Sequence, residues 1–217
     1  MDIRGVIFDL DGTLLDTIED LADAANATLA HFGFPGHPTN AYRYFVGEGL
    51  SILIKRILPE QNRSQAEITA CMEIFLKVYG QHWDVKSKPY DGILEMLQQL
   101  QHAGLQLGIL SNKPHAFTQL CVQRYFPSNT FAFVYGQREG TPKKPDPAGA
   151  LEIAALMNLH PCEIAYVGDT ATDMQTGNDA GMFTLGVIWG FRDRQELEDN
   201  KANRIINHPS EIFFPCP

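Results

Sequence analysis

Apolar residues occur in short runs that end in turn residues and lead into segments of helical spacing. Residues 5–10, 105–110, 131–135, 164–167 and 184–188 are five such runs. They are apolar on both faces, as strands of a parallel sheet covered by helices must be. Between them, Ile93, Leu94, Leu97 and Leu100 form a helical stripe that Gly104 closes. Pro114 suits the first turn of a helix carrying Phe117, Leu120 and Cys121. Leu151, Ala154, Ala155 and Met157 mark another helix, and a short one over 174–180 stops at Gly181. The alternation predicts an α/β domain with a doubly wound parallel sheet.

Residues 16–89 break this rhythm and contain no convincing strand. Leu21, Ala25, Thr28 and Phe32 recur at helical spacing, as do Leu50, Leu53, Ile54 and Ile57. Ser64 and Glu67 form a capping box ahead of Ile68, Cys71, Met72, Phe75 and Tyr79. The segment reads as a small helical bundle inserted after the first strand. The domains expected are therefore a core of residues 1–15 and 90–217 and a helical unit of residues 16–89.

Composition narrows the function. The 217 residues carry a net charge of -9, with 26 acids against 17 bases. That opposes nucleic-acid binding, which rests on basic patches, and attraction to anionic membranes. No apolar run reaches the roughly 20 residues of a membrane span. Asp2 and Arg4 lead at once into an apolar strand, unlike a secretory leader. Cys71, Cys121, Cys162 and Cys216 form no CxxC pair, and no HExxH occurs among the histidines. A cytoplasmic location is expected. The oligomeric state is left open.

The polar clusters follow the strands in order: Asp9-Leu10-Asp11-Gly12-Thr13, then Ser111-Asn112-Lys113, Lys143-Lys144-Pro145-Asp146-Pro147, and Gly168-Asp169-Thr170-Ala171-Thr172-Asp173. Ligands of open α/β sheets bind beyond the carboxyl ends of the strands. Folding would gather the carboxylates, a hydroxyl and a lysine at one sheet edge. Crowded carboxylates need a cation, and hard oxygen ligands with room for water and phosphate suit Mg²⁺. One carboxylate can attack phosphorus and another can handle the leaving-group proton. Gly12 lets backbone N–H groups approach phosphate oxygens. Singly, each cluster reads better as a turn, a helix cap or a solvated loop; together they form a set of catalytic roles.

These four clusters resemble the motifs of the haloacid dehalogenase (HAD) superfamily of phosphatases. The resemblance implies a Rossmann-like core with an α-helical cap, Mg²⁺, and a small phosphorylated metabolite as substrate. It implies Asp9 as nucleophile and Asp11 as general acid/base. Asp9, Asp11 through its carbonyl, and Asp169 would hold the metal, with Asp173 in support. Gly12, Thr13, Ser111, Asn112 and Lys144 would bind substrate; the Lys-Pro order of the family, not spacing, selects Lys144 over Lys143. Phe45-Val46-Gly47-Glu48-Gly49-Leu50 is similar to the cap loop of phosphoglycolate phosphatases, which adds Gly47 and Gly49 as substrate-binding positions. So are the Ser111-Asn112-Lys113 triplet and the segment Gly186-Val187-Ile188-Trp189-Gly190-Phe191-Arg192. Glu48 departs from expectation for a carboxylate-bearing substrate unless it points away. The alternatives are a β-phosphoglucomutase-type phosphomutase, a pyrophosphatase, or a non-enzymatic phospho-acceptor module, which would have no use for Asp11.

Overall fold

Val6, Ile7 and Phe8 are fully buried because their strand is covered on both faces. Their side chains alternate between two cores. Val6 and Phe8 pack with Ile93, Met96, Leu97 and Cys121, while Ile7 packs with Ile153, Met157, Ala180 and Met182. The computed structural model describes residues 2–214, so Cys216 lies outside the described residues.

In chain order, β1 (Gly5–Phe8) and β2 (Leu15–Asp16) precede α1 (Ile18–His31), α2 (Tyr42–Phe45), α3 (Leu50–Ile57) and α4 (Gln65–His82). The chain returns through β3 (Lys88–Pro89) to α5 (Ile93–His102), β4 (Gln106–Pro114), α6 (His115–Tyr125), β5 (Phe133–Gln137) and α7 (Ala148–Met157). It ends with β6 (Ile164–Gly168), α8 (Ala171–Asp179), β7 (Phe183–Val187), α9 (Arg194–Asp199) and β8 (Arg204–Ile206). The main sheet has six strands in the order β5-β4-β1-β6-β7-β8, and every pairing in it is parallel. The fold is the expected doubly wound α/β sheet. Strand order reverses around β1, which places a crevice at the carboxyl ends of β1, β4 and β6.

Several elements differ from the sequence reading. The first strand stops at Phe8, and Leu10 to Leu15 form a turn in which the Leu14 and Leu15 N–H groups both donate to the Leu10 carbonyl. The second strand runs on through Ser111, Asn112 and Lys113, with a register shift against β5 between Leu110 and Pro114. Turn-forming Ser and Asn suggested an earlier end; burial of the whole segment keeps it extended. Phe131 lies outside its strand and packs edge-on against Phe8 and Phe126. Leu151 faces outward, and α7 instead buries Ala150, Ile153, Ala154 and Met157. Phe32 falls just beyond α1, exposed and stacked on Phe34.

The segment expected to lack strands is bounded by one small ribbon. β2 and β3 pair antiparallel, Leu15 with Pro89 and Asp16 with Lys88. The two crossings between sheet and helices are thereby tied together. The helices have a core of their own, in which Leu21, Ala25, Leu53, Ile54, Cys71, Phe75 and Tyr79 are buried. Phe191, from beyond β7, reaches into that core. The Ser64–Glu67 capping box is formed in both directions at the start of α4. Among the described residues no helix is long and apolar enough to cross a membrane.

Candidate functional site

The turn after β1 places Asp9 at the sheet edge. Asp9 is buried, and its Oδ1 lies 2.8 Å from the Lys144 ammonium. The same ammonium lies 2.7 Å from Asp173 Oδ1. Asp173 is held by a capping box at the start of α8: its Oδ2 accepts from the Thr170 N–H at 3.1 Å and the Thr170 hydroxyl at 2.7 Å. Asp169, at the end of β6, accepts from the Thr13 hydroxyl at 2.9 Å and the Phe191 N–H at 2.8 Å. Each carboxylate is thus aimed by a neighbouring element.

Oxygens of Asp9, Asp169 and Asp173 lie within 4.8 Å of one another. Burial pushes Asp9 up to about 7; Lys144 opposes the rise and Asp173 and Asp11 add to it. Burial, then Asp173 and Asp9, push Asp169 up to about 8. Burial alone would lower the Lys144 ammonium, but Asp173 and Asp9 hold it well above the ordinary range. One lysine among three buried carboxylates leaves negative charge uncompensated. A hard, oxygen-seeking divalent cation fits this donor set.

Gly12 has φ +92°, and a Cβ there would lie 2.4 Å from Asp169 Oδ2, so only glycine lets the turn approach that carboxylate. Thr13, expected to bind substrate, is fully buried and its hydroxyl is engaged by Asp169. Trp189 Nε1 donates to the Thr13 carbonyl at 2.9 Å, which further fixes the turn.

Asp9, Asp11, Ser111, Asn112, Gly47 and Gly49 line one small cavity of about 60 Å³ beneath the helical unit. Gly12, Thr13, Lys144, Asp169 and Asp173 do not line it. The two adjacent lysines part company. Lys144 is buried among the carboxylates, whereas Lys143 is exposed and donates to the Glu48 carbonyl at 2.8 Å. Asn112 joins both sides of the cavity. Its Nδ2 donates to the carbonyls of Gly47 (3.1 Å) and Lys144 (3.0 Å), and its Oδ1 accepts from the Lys144 N–H at 2.9 Å.

The loop of residues 46–49 connects α2 to α3, with Gly47 at φ +110° and Gly49 at φ +89°. Arg192 Nη2 holds the Val46 carbonyl at 3.0 Å. The Glu48 side chain pairs with Arg56 and does not line the cavity. The conflict with a carboxylate-bearing substrate is therefore relieved.

Lys113 belongs to the triplet noted in the sequence, yet spacing gave it no role of its own. Its buried ammonium lies 3.0 and 3.2 Å from the two Asp11 oxygens and 2.8 Å from the Tyr79 hydroxyl. The Thr17 hydroxyl also donates to Asp11, at 2.8 Å. The available signal was a lysine in the polar triplet that follows the run of residues 105–110; its partners lie 34 and 102 residues away along the chain.

Comparison with known proteins agrees with this geometry. Residues 6–187 match the family model for haloacid dehalogenase-like hydrolases. The chain is 32 % identical to a phosphoglycolate phosphatase from Psychrobacter arcticus, over 98 % of this chain and 92 % of that protein. It is also 32 % identical to an N-acetylmuramic acid 6-phosphate phosphatase from Pseudomonas aeruginosa, over 98 % and 94 %. A crystal structure from Lactobacillus delbrueckii subsp. bulgaricus superposes with a TM-score of 0.92, at 28 % identity and covering 98 % and 97 % of the two chains. A β-phosphoglucomutase from Clostridium difficile shares the fold at a TM-score of 0.79 and 23 % identity, covering 98 % and 94 %. With the match running from β1 through β7, the chain belongs to the haloacid dehalogenase-like hydrolases.

Proposed function

We propose that the chain is a Mg²⁺-dependent phosphatase that cleaves a small phosphate monoester through an aspartyl-phosphate on Asp9, with 2-phosphoglycolate as a candidate substrate. The observation that carries this reading is the buried set of Asp9, Asp169 and Asp173 around Lys144. Asp9, Asp169 and the Asp11 carbonyl would hold Mg²⁺, with Asp173 steadying Lys144. The cation, when bound, neutralises charge on the phosphoryl oxygens and on the crowded carboxylates.

Asp9 attacks phosphorus in line with the ester oxygen, and the P–O bond to the leaving group breaks. Asp11, on the cavity wall two residues on, gives that oxygen its proton. It later accepts a proton from the water that attacks the aspartyl-phosphate, which frees phosphate and restores Asp9. Lys144 and Ser111 bind phosphoryl oxygens. We assign residues 16–89 as a cap that shields the intermediate from premature water, with residues 1–15 and 90–217 as the catalytic core.

A phosphomutase would need room to turn a sugar phosphate between two orientations, and net isomerisation without phosphate release would favour it. A pyrophosphatase and a non-turning phospho-acceptor are separable in one assay. Purified protein is incubated with a monoester panel and pyrophosphate, with Mg²⁺ or with EDTA, beside Asp9→Asn. Mg²⁺-dependent phosphate release from monoesters, abolished by Asp9→Asn, is expected. No release, or full activity in Asp9→Asn, overturns the proposal.

A further inference from the structure

The two buried lysines of the site face different ends of it. Lys144 lies beneath Asp9, where the phosphoryl group must sit. Lys113 is the one cation among the described residues lining the cavity. On the cap side that cavity is walled by Leu21, Leu50, Leu53, Phe75 and Leu76, and from the core by Phe117 of α6. The Lys113 side chain is only 3 % exposed and sits against the Tyr79 ring, its ammonium 4.8 Å from the ring centroid.

A buried ammonium in an apolar pocket needs an anion beside it. Here Asp11 fills that place, yet the same side chain is the one required at the leaving oxygen. An arriving ligand with its own anionic group can relieve this double duty. Apolar walls give sugar hydroxyls few partners, and unpaired buried hydroxyls are rejected. A single ammonium with one phenol matches a monovalent carboxylate; a dianionic phosphate would leave a charge uncompensated among leucines. Glu48, the carboxylate on the neighbouring loop, is turned to Arg56 and does not oppose such a group.

We propose that Lys113 is the specificity-determining residue of this site, binding one carboxylate on a short leaving group in exchange for Asp11. The exchange leaves Asp11 tethered by the Thr17 hydroxyl and free to turn toward the leaving oxygen. Tyr79, from α4 of the helical unit, accepts from the Lys113 ammonium, so leaving-group recognition also senses the position of that unit. This assignment rests on the phosphatase reading.

The test compares kcat/KM of the full chain with Mg²⁺ on 2-phosphoglycolate and on 2-hydroxyethyl phosphate, in which a CH₂OH replaces the carboxylate. Wild type is expected to favour the carboxylate ester by at least about 30-fold, because with the neutral ester Asp11 stays paired to Lys113 instead of serving the leaving oxygen. Lys113→Met should bring the ratio to within about threefold, and Lys113→Arg should restore part of it. The ratio cancels any effect on Asp11 that both esters share. Should Lys113→Met fail to fold, the wild-type ratio and inhibition by glycolate against ethylene glycol decide. A wild-type ratio below about threefold, or a Lys113→Met ratio like that of wild type, overturns the assignment alone. No phosphate release from either ester or from p-nitrophenyl phosphate overturns the phosphatase reading and this assignment with it.

Discussion

The sheet edge and the loop of residues 46–49 grip the same cavity by different means. At the sheet edge the defining contacts join side chain to side chain: Asp9 and Asp173 on Lys144, Asp169 on Thr13, with the Thr170 and Phe191 N–H groups in support. The loop is held through its main chain. The carbonyls of Val46, Gly47 and Glu48 accept from Arg192, Asn112 and Lys143 of the core. Side-chain clusters define the chemical step, whereas main-chain grips set where the helical unit rests. Changes at the edge should therefore strike kcat and stability together, and changes at the loop should act on binding.

The sharpest way to break the comparison is Asp9→Asn. An amide is no nucleophile here, and a loss of at least about 10⁴ in kcat is expected. Lys144 keeps Asp173 as partner, so the fold should survive; circular dichroism and phosphate release separate the two outcomes. Lys144→Met should come next. It leaves the buried Asp9 and Asp173 without their ammonium, which should cost about 3 kcal/mol in urea unfolding of the metal-free protein and about 10²–10³ in kcat.

This contrast also explains what could be read from the sequence. Asp9, Asp11, Ser111, Lys144, Asp169 and Asp173 stand beside strand ends that apolar runs reveal, so order along the chain announces them. Lys113 does not, because its role depends on the extended backbone that carries it past Leu110 and on Tyr79 arriving from another unit. The β2–β3 ribbon was equally hidden: two residues on each side hold no periodicity, and their pairing spans the whole helical segment. Arg192 and Arg43 reach backbone carbonyls, which leave no trace in the identity of the partner.

Protonation provides a third and milder test, aimed at the sheet edge alone. Asp9 and Asp169 are raised from 3.8 to about 7 and about 8 by burial and their neighbours. The folded protein therefore binds more protons than the unfolded chain between about pH 4 and 8. That stabilisation is complete below the unfolded value and is lost as pH rises through the folded ones. Metal-free protein in EDTA should melt at a lower temperature at pH 8.5 than at pH 5.5. Mg²⁺ competes with those protons, so it should raise the melting temperature by several degrees at pH 8.5 and by much less at pH 5.5. An equal Mg²⁺ increment at both values would place the metal away from these carboxylates.

The smallest expected effects lie in the loop and discriminate between its own holds. Lys143 is exposed and offers one hydrogen bond to the Glu48 carbonyl, in contact with solvent that can replace it. Lys143→Met should change stability by less than about 0.5 kcal/mol and KM by less than about threefold, with kcat unaltered. Asn112 is buried and holds Gly47 and both backbone groups of Lys144 at once. Asn112→Ala leaves those carbonyls and that N–H without a partner, so about 1–3 kcal/mol of stability should go, and KM should rise more than in Lys143→Met. Measuring both variants by urea unfolding and steady-state kinetics decides whether the loop rests on its buried hold or on the exposed one. A larger loss from Lys143→Met than from Asn112→Ala would mean that the loop is fixed from outside, and that the sheet edge and the helical unit meet less directly than Asn112 indicates.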